Sequence, residues 1–118
     1  MSCAVIRMGR DSVTGLEELA DKVTRDLEGA FVAPELAYSE LVDVKGVQIL
    51  LMIWERFYMR NGSMTAVTVQ VTDDGEKQEA TIAGTGGGEG LLNISLGANS
   101  DFASKVADSL GKCGFAKL

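Results

Sequence analysis

The sequence predicts an α+β fold of two layers, an antiparallel sheet of five to six strands with both helices on one face, in the order β-α-β-β-β-β-β-α. Three observations carry this. Apolar residues recur at helical spacing near each end of the chain, at Leu16, Leu19, Ala20, Val23 and Leu27 and at Phe102, Ala103, Val106, Ala107 and Leu110. Between these stripes apolar and polar residues alternate, as in half-buried strands. The alternating runs are separated by turns at Lys45-Gly46, Asn61-Gly62 and Asp74-Gly75, of which the Asn-Gly and Asp-Gly pairs suit tight hairpins. At 118 residues the chain reads as one domain, 1–118.

Ser2 to Met8 is short and apolar enough for a first strand, with Gly9 to Val13 as its exit loop. A helix is expected over Gly15 to Glu28, opened by a capping box between Thr14 and Glu17 and closed by Gly29 in a left-handed conformation. Pro34 starts a new element. Leu36 to Val44 reads as an edge strand, with Leu36, Tyr38, Glu40, Val42 and Val44 on one face.

Val47 to Arg60 is the longest strand candidate. Val47, Ile49, Leu51, Ile53 and Phe57 occupy one face; Leu50, Met52, Trp54 and Tyr58 occupy the other. A two-residue turn at Asn61-Gly62 pairs Arg60 with Ser63, Trp54 with Val69 and Met52 with Val71. A second at Asp74-Gly75 pairs Val69 with Ala80 and Val67 with Ile82. The glycine stretch from Gly84 to Gly90 is expected to be a bulged or flexible turn. Leu91 to Leu96 reads as a further strand, and Gly97 to Ser100 leads into the second helix. Asp101 then suits the positive helix end, Lys112 the last turn, and Gly111 or Gly114 the stop.

Composition excludes several chemistries. Seventeen acidic against eleven basic residues give a formal net charge of −6, and histidine is absent. Without imidazole there is no Ser-His-Asp or Cys-His catalysis. An acidic chain is poorly suited to nucleic acid, which demands clustered cations. The two cysteines, Cys3 and Cys113, fit a reducing cytoplasm and two small buried hydrophobes better than a disulfide framework. They are too few to complete a zinc site without carboxylates or a second subunit. The longest apolar run, Ile49 to Trp54, is far too short to span a bilayer, so no membrane partner is expected.

The glycine stretch lacks the lysine of a phosphate loop, and Glu89 stands where a dinucleotide fingerprint needs glycine. Asp73, Asp74 and Glu76 lack calcium-loop spacing and read as a solvated hairpin tip. No cofactor and no metal are expected. Arg56 falls on the helix-facing side of its strand, between Trp54 and Tyr58. It either pairs or stacks for stability, or holds an anionic ligand between the sheet and the C-terminal helix.

Glu55-Arg56-Phe57-Tyr58, followed by Asn61-Gly62, the Gly86-Gly87 patch and the closing segment from Gly97 to Leu110, resembles a family of small bacterial proteins classified only as a domain of unknown function. The resemblance spans about residues 45 to 113. It departs at Gly84-Thr85-Gly86-Gly87-Gly88, where a serine-flanked glycine pair is expected, and at Leu91-Leu92 in place of aromatics. It implies a bacterial origin and transfers no catalytic residue.

The expected function is a non-enzymatic binding or assembly module. Ile49, Leu51, Ile53 and Phe57 form a sheet face too apolar for water, and an isologous homodimer is the simplest way to bury it. The alternative is a small-molecule binder with Trp54, Arg56 and Tyr58 lining a pocket between sheet and C-terminal helix. An enzyme ranks last, because no two carboxylates can be placed together from the sequence.

Overall fold

The computed structural model describes residues 4–58, 63–86 and 95–118. The chain forms β1 (Ala4–Asp11), α1 (Leu16–Glu28), β2 (Glu35–Val44), β3 (Val47–Tyr58), β4 (Ser63–Asp73), β5 (Lys77–Gly86), α2 (Ser95–Lys112) and β6 (Ala116–Lys117). The strands pair antiparallel in the order β2-β3-β4-β5-β1-β6. This is the expected α+β architecture with one change of order. The sixth strand follows α2 instead of preceding it.

Both helices lie on the same side. Leu16, Leu19, Val23 and Leu27 of α1 and Phe102, Ala103, Val106, Ala107 and Leu110 of α2 join one core with the inward residues of the sheet. Those inward residues stack in transverse rows set by the register. Trp54, Val67, Gly84 and Ala4 make one row; Met52, Val69, Ile82 and Ile6 the next; Leu50, Val71, Ala80 and Met8 the third. A polar row closes each end of this apolar block, Gln48-Asp73-Gln78-Arg10 at one and Arg56-Thr65-Gly86 at the other.

The expected pairings are corrected by two residues in both hairpins. Trp54 pairs with Val67, not Val69, and Val69 pairs with Ile82, not Ala80. The face assignments survive, because a shift of two residues leaves each side chain on the same face. In the second hairpin the cause is visible. Asp74 does not sit inside the turn; its carboxylate accepts the backbone N–H groups of Glu76 and Lys77, each at 2.9 Å, and Gly75 alone takes positive φ, 96°. The first turn, Asn61-Gly62, lies outside the described residues; the last described pair before it is Tyr58 with Ser63, where Arg60 with Ser63 was expected.

Other boundaries also move. β1 continues to Asp11 through the expected loop, since its backbone pairs with β5 as far as Lys77. The bulge between Leu36 and Tyr38 places Leu36 opposite Trp54, on the helix side, instead of with Tyr38, Glu40, Val42 and Val44. No capping box forms: Gly15 is the N-cap of α1, and the Thr14 hydroxyl accepts a hydrogen bond from Arg10 instead. Gly29 is right-handed, with φ −84°. Gly84 to Gly86 belong to β5, and Gly87 to Gly90 lie outside the described residues. Ser95 and Leu96 open α2 where a strand was expected, while 91–94 are not described. Asp101 is therefore interior to the helix. Gly114, with φ 99°, ends it, and the N–H of Phe115 returns to the Leu110 carbonyl at 3.2 Å.

Candidate functional site

The two polar rows place an arginine at each end of the helix-facing side of the sheet, and their surroundings differ. Arg10 is saturated. Its Nε donates to Gln78 Oε1 at 2.7 Å, Nη2 to Thr14 Oγ1 at 2.9 Å, and Nη1 to the Cys113 carbonyl, while its guanidinium carbon lies 4.8 Å from the Phe115 ring centroid. Gln78 passes the network on, donating to the Thr14 carbonyl at 2.6 Å and to Asp73 Oδ2 at 2.9 Å. Asp73 also accepts from the Ser12 hydroxyl and from the Gly75 N–H.

Asp73 is only 8% exposed, so it is no solvated tip; Asp74 and Glu76 are the exposed members of that turn. Burial pushes its carboxyl pKa up, but hydrogen bonds from Gln78, Gly75 and Ser12 outweigh this and hold it below 3.8. Every group in the cluster already has its partner inside the chain. This end is a polar clasp joining β1, β4, β5 and the C-terminus.

Arg56 stands at the other end, half-buried beside a cavity of about 140 Å³. Its floor is Leu27 of α1, Pro34 and Phe102 of α2, all buried. Its rim is Ala30, Phe31 and Val32 of the α1–β2 connection, and Lys105 of α2 adds a second cation. Each position has a local cause. Arg56 follows Trp54 in the inward alternation, one step beyond the last apolar residue. Phe102 and Lys105 are three apart on α2 and so share a face.

Of the expected ligand-binding residues whose side chains are described, Arg56 lines this cavity. Trp54 is wholly buried in the core and does not line the cavity. Tyr58 ends β3, but its side chain lies outside the described residues. Sequence reasoning missed Lys105 and the connection from Ala30 to Pro34, which no periodicity marks. It also missed the Arg10 clasp, although extending the alternation Ile6-Met8-Arg10 puts that arginine on the core face.

The four expected interface residues share the opposite face of β3. Ile49, Leu51 and Ile53 are half-buried and Phe57 is 51% exposed. Tyr38, Val42 and Val44 on β2 and Met64 on β4 lie on the same face and are exposed. Neither helix reaches it, since both are used up on the other side.

Among the described residues no cluster of histidine, cysteine, aspartate or glutamate could hold a metal ion, and no helix is long and apolar enough to cross a membrane. Cys113 is a half-buried free thiol packed against the core, and Cys3 lies outside the described residues. Comparison with protein families finds a match over residues 8–114 to a family of unknown function. The chain belongs to the DUF6054 family. The match begins in β1 and ends just after α2, so the hydrogen-bonding partners of Arg10 and the Arg56 cavity lie within the DUF6054 region. No curated protein and no solved structure matches the chain.

Proposed function

We propose that this DUF6054 protein is a non-enzymatic assembly module of the bacterial cytoplasm that forms a homodimer through the bare face of its sheet. The observation that carries this is the apolar field of Ile49, Leu51, Ile53 and Phe57, continued by Tyr38, Val42 and Val44 on one side and Met64 on the other. A contiguous apolar patch of that size on one face is the usual mark of a contact surface.

A second copy suits it on two grounds. A twofold axis through the patch sets apolar residues against apolar residues, with the same surface used by both partners. A chain of net charge −6 can approach its own copy only through a region poor in charge. On this face the acids of β2 and β3 are Glu35, Glu40 and Glu55, with Glu35 and Glu55 paired at one end, while the pairs Arg7–Glu79 and Lys77–Asp11 lie further along the sheet on β1 and β5.

Sedimentation velocity over a range of protein concentrations tests the reading. The wild type is expected to sediment as a dimer, and Ile53→Lys as a monomer with an unchanged circular dichroism spectrum, because the side chain lies outside the core. A wild type that stays monomeric at the highest concentration reached would overturn it.

A further inference from the structure

We infer that the cavity beside Arg56 is a binding site for a small apolar monocarboxylate, an acid whose hydrocarbon body is about the size of one aromatic ring. The inference does not rest on dimerisation, because the cavity is on the helix side of the sheet and the apolar patch on the other.

Size sets the body of the ligand. The cavity holds about 140 Å³, close to the roughly 150 Å³ apolar cavity that admits benzene. Its floor of Leu27, Pro34 and Phe102 offers such a ring only carbon.

Charge sets the head group. Among the described residues the cavity is lined by two cations, Arg56 and Lys105, and by no carboxylate, in a chain with an excess of acid. Lys105 Nζ lies 3.8 Å from Asp101, with both side chains more than half exposed. Solvent screens such a pair, and the ammonium has further donors. Arg56 has a partner within the chain, and a guanidinium offers five N–H donors in all. A neutral ligand of the same shape would strip water from these cations and return nothing to them. A phosphate dianion would find too few donors, since the remaining lining is apolar and the cavity meets α2 at Phe102 and Lys105, far inside the helix.

The rim supplies an independent observation. Phe31 is 94% exposed and Val32 52% exposed, yet both border the cavity. Large apolar residues left in water at the mouth of an apolar hole become buried when an apolar body enters it, which favours occupancy.

Three probes sharing one ring separate size from charge: benzoate, benzyl alcohol and protonated benzylamine, titrated into the protein by calorimetry and by amide NMR. Benzoate is expected to bind, with shifts confined to residues 27–34, Arg56 and 102–105. Benzyl alcohol should bind at least about tenfold more weakly and benzylammonium not measurably, since a charge-assisted hydrogen bond is worth about that ratio or more. Lys105→Gln, at an exposed position that the fold does not need, should weaken benzoate about tenfold, and Arg56→Gln more. Should Arg56→Gln fail to fold, Lys105→Gln and Phe31→Ser still decide the matter, each by weaker binding of benzoate. Equal binding of all three probes, benzoate binding untouched by Lys105→Gln, or no benzoate binding up to its solubility would overturn the inference.

Discussion

Arg10 and Arg7 are three residues apart in β1 and point to opposite faces, and the difference decides what each contributes. Arg7 pairs with Glu79 at 3.0 Å, both more than half exposed, where water and salt weaken the attraction. Arg10 is held on three donors among part-buried groups, and its loss would leave Gln78 Oε1 and the Cys113 carbonyl without it. Arg10→Leu is therefore expected to lower stability by about 2–4 kcal/mol, and Arg7→Leu by less than about 1 kcal/mol; urea melts of the two variants measure the contrast. Asp73 adds a pH dependence. Its carboxyl pKa is held below its ordinary 3.8, so the folded state binds the proton more weakly than the unfolded chain. The resulting stability is fully present above that ordinary value and is lost as pH falls through the lowered one. Asp26, lowered by the Ser109 hydroxyl and by Lys112, and Asp74, lowered by the N–H groups of Lys77 and Glu76, act in the same direction. Urea midpoints measured downward from pH 6 should stay flat and then drop in the acid range, and Asp73→Asn should show a shallower drop from a lower plateau.

Turns and caps are where element-scale expectation and structure part most instructively. The β2–β3 turn has positive φ at both central residues, 53° at Lys45 and 89° at Gly46, as a two-residue hairpin of this hand demands. Lysine is poorly suited to that conformation, and asparagine tolerates it. Lys45→Asn should raise the thermal midpoint, by about 0.5–1 kcal/mol of stability; an unchanged or lower midpoint would show that the lysine side chain matters in a way its geometry does not reveal. Gly75 makes the opposite case. At φ 96° it has open space around a would-be Cβ, so strain in the backbone alone opposes substitution. Gly75→Val is expected to destabilise by about 1–3 kcal/mol, whereas Gly15→Ala, at an extended position with equally open space, should cost far less. Parallel thermal melts of the two glycine variants check this.

At the scale of the whole molecule, the sheet has one face under two helices and one bare. A dimer that buries the bare face links folding to association, so the thermal midpoint of the wild type should rise with protein concentration. That dependence should vanish in Ile53→Lys. Calorimetric scans at several concentrations give the answer, and a midpoint independent of concentration in the wild type would speak against coupling of the two.

The sequence by itself determined the α+β class, the two helical stripes, the division of β3 into inward and outward faces, and the place of Arg56 at the end of the inward row. These follow from local periodicities of 3.6 and 2, which read the same in any register. Membership of a family of unknown function was also expected, and the DUF6054 match over residues 8–114 extends well beyond the expected stretch of 45 to 113 at the N-terminal side. Only the tertiary structure decided the pairing of strands, because a two-residue slip preserves every face and is settled by how the turns close. Asp73 turned out buried, and the Thr14 hydroxyl was taken by Arg10, because partners distant in sequence compete successfully with local turn and cap chemistry. The cavity, too, was invisible in the chain: Lys105 and the 30–34 connection meet Arg56 only because the C-terminal end of α1 and the middle of α2 come together at this edge of the sheet. Periodicity tells which way a side chain faces; what it meets there depends on elements whose separation along the chain no local pattern encodes.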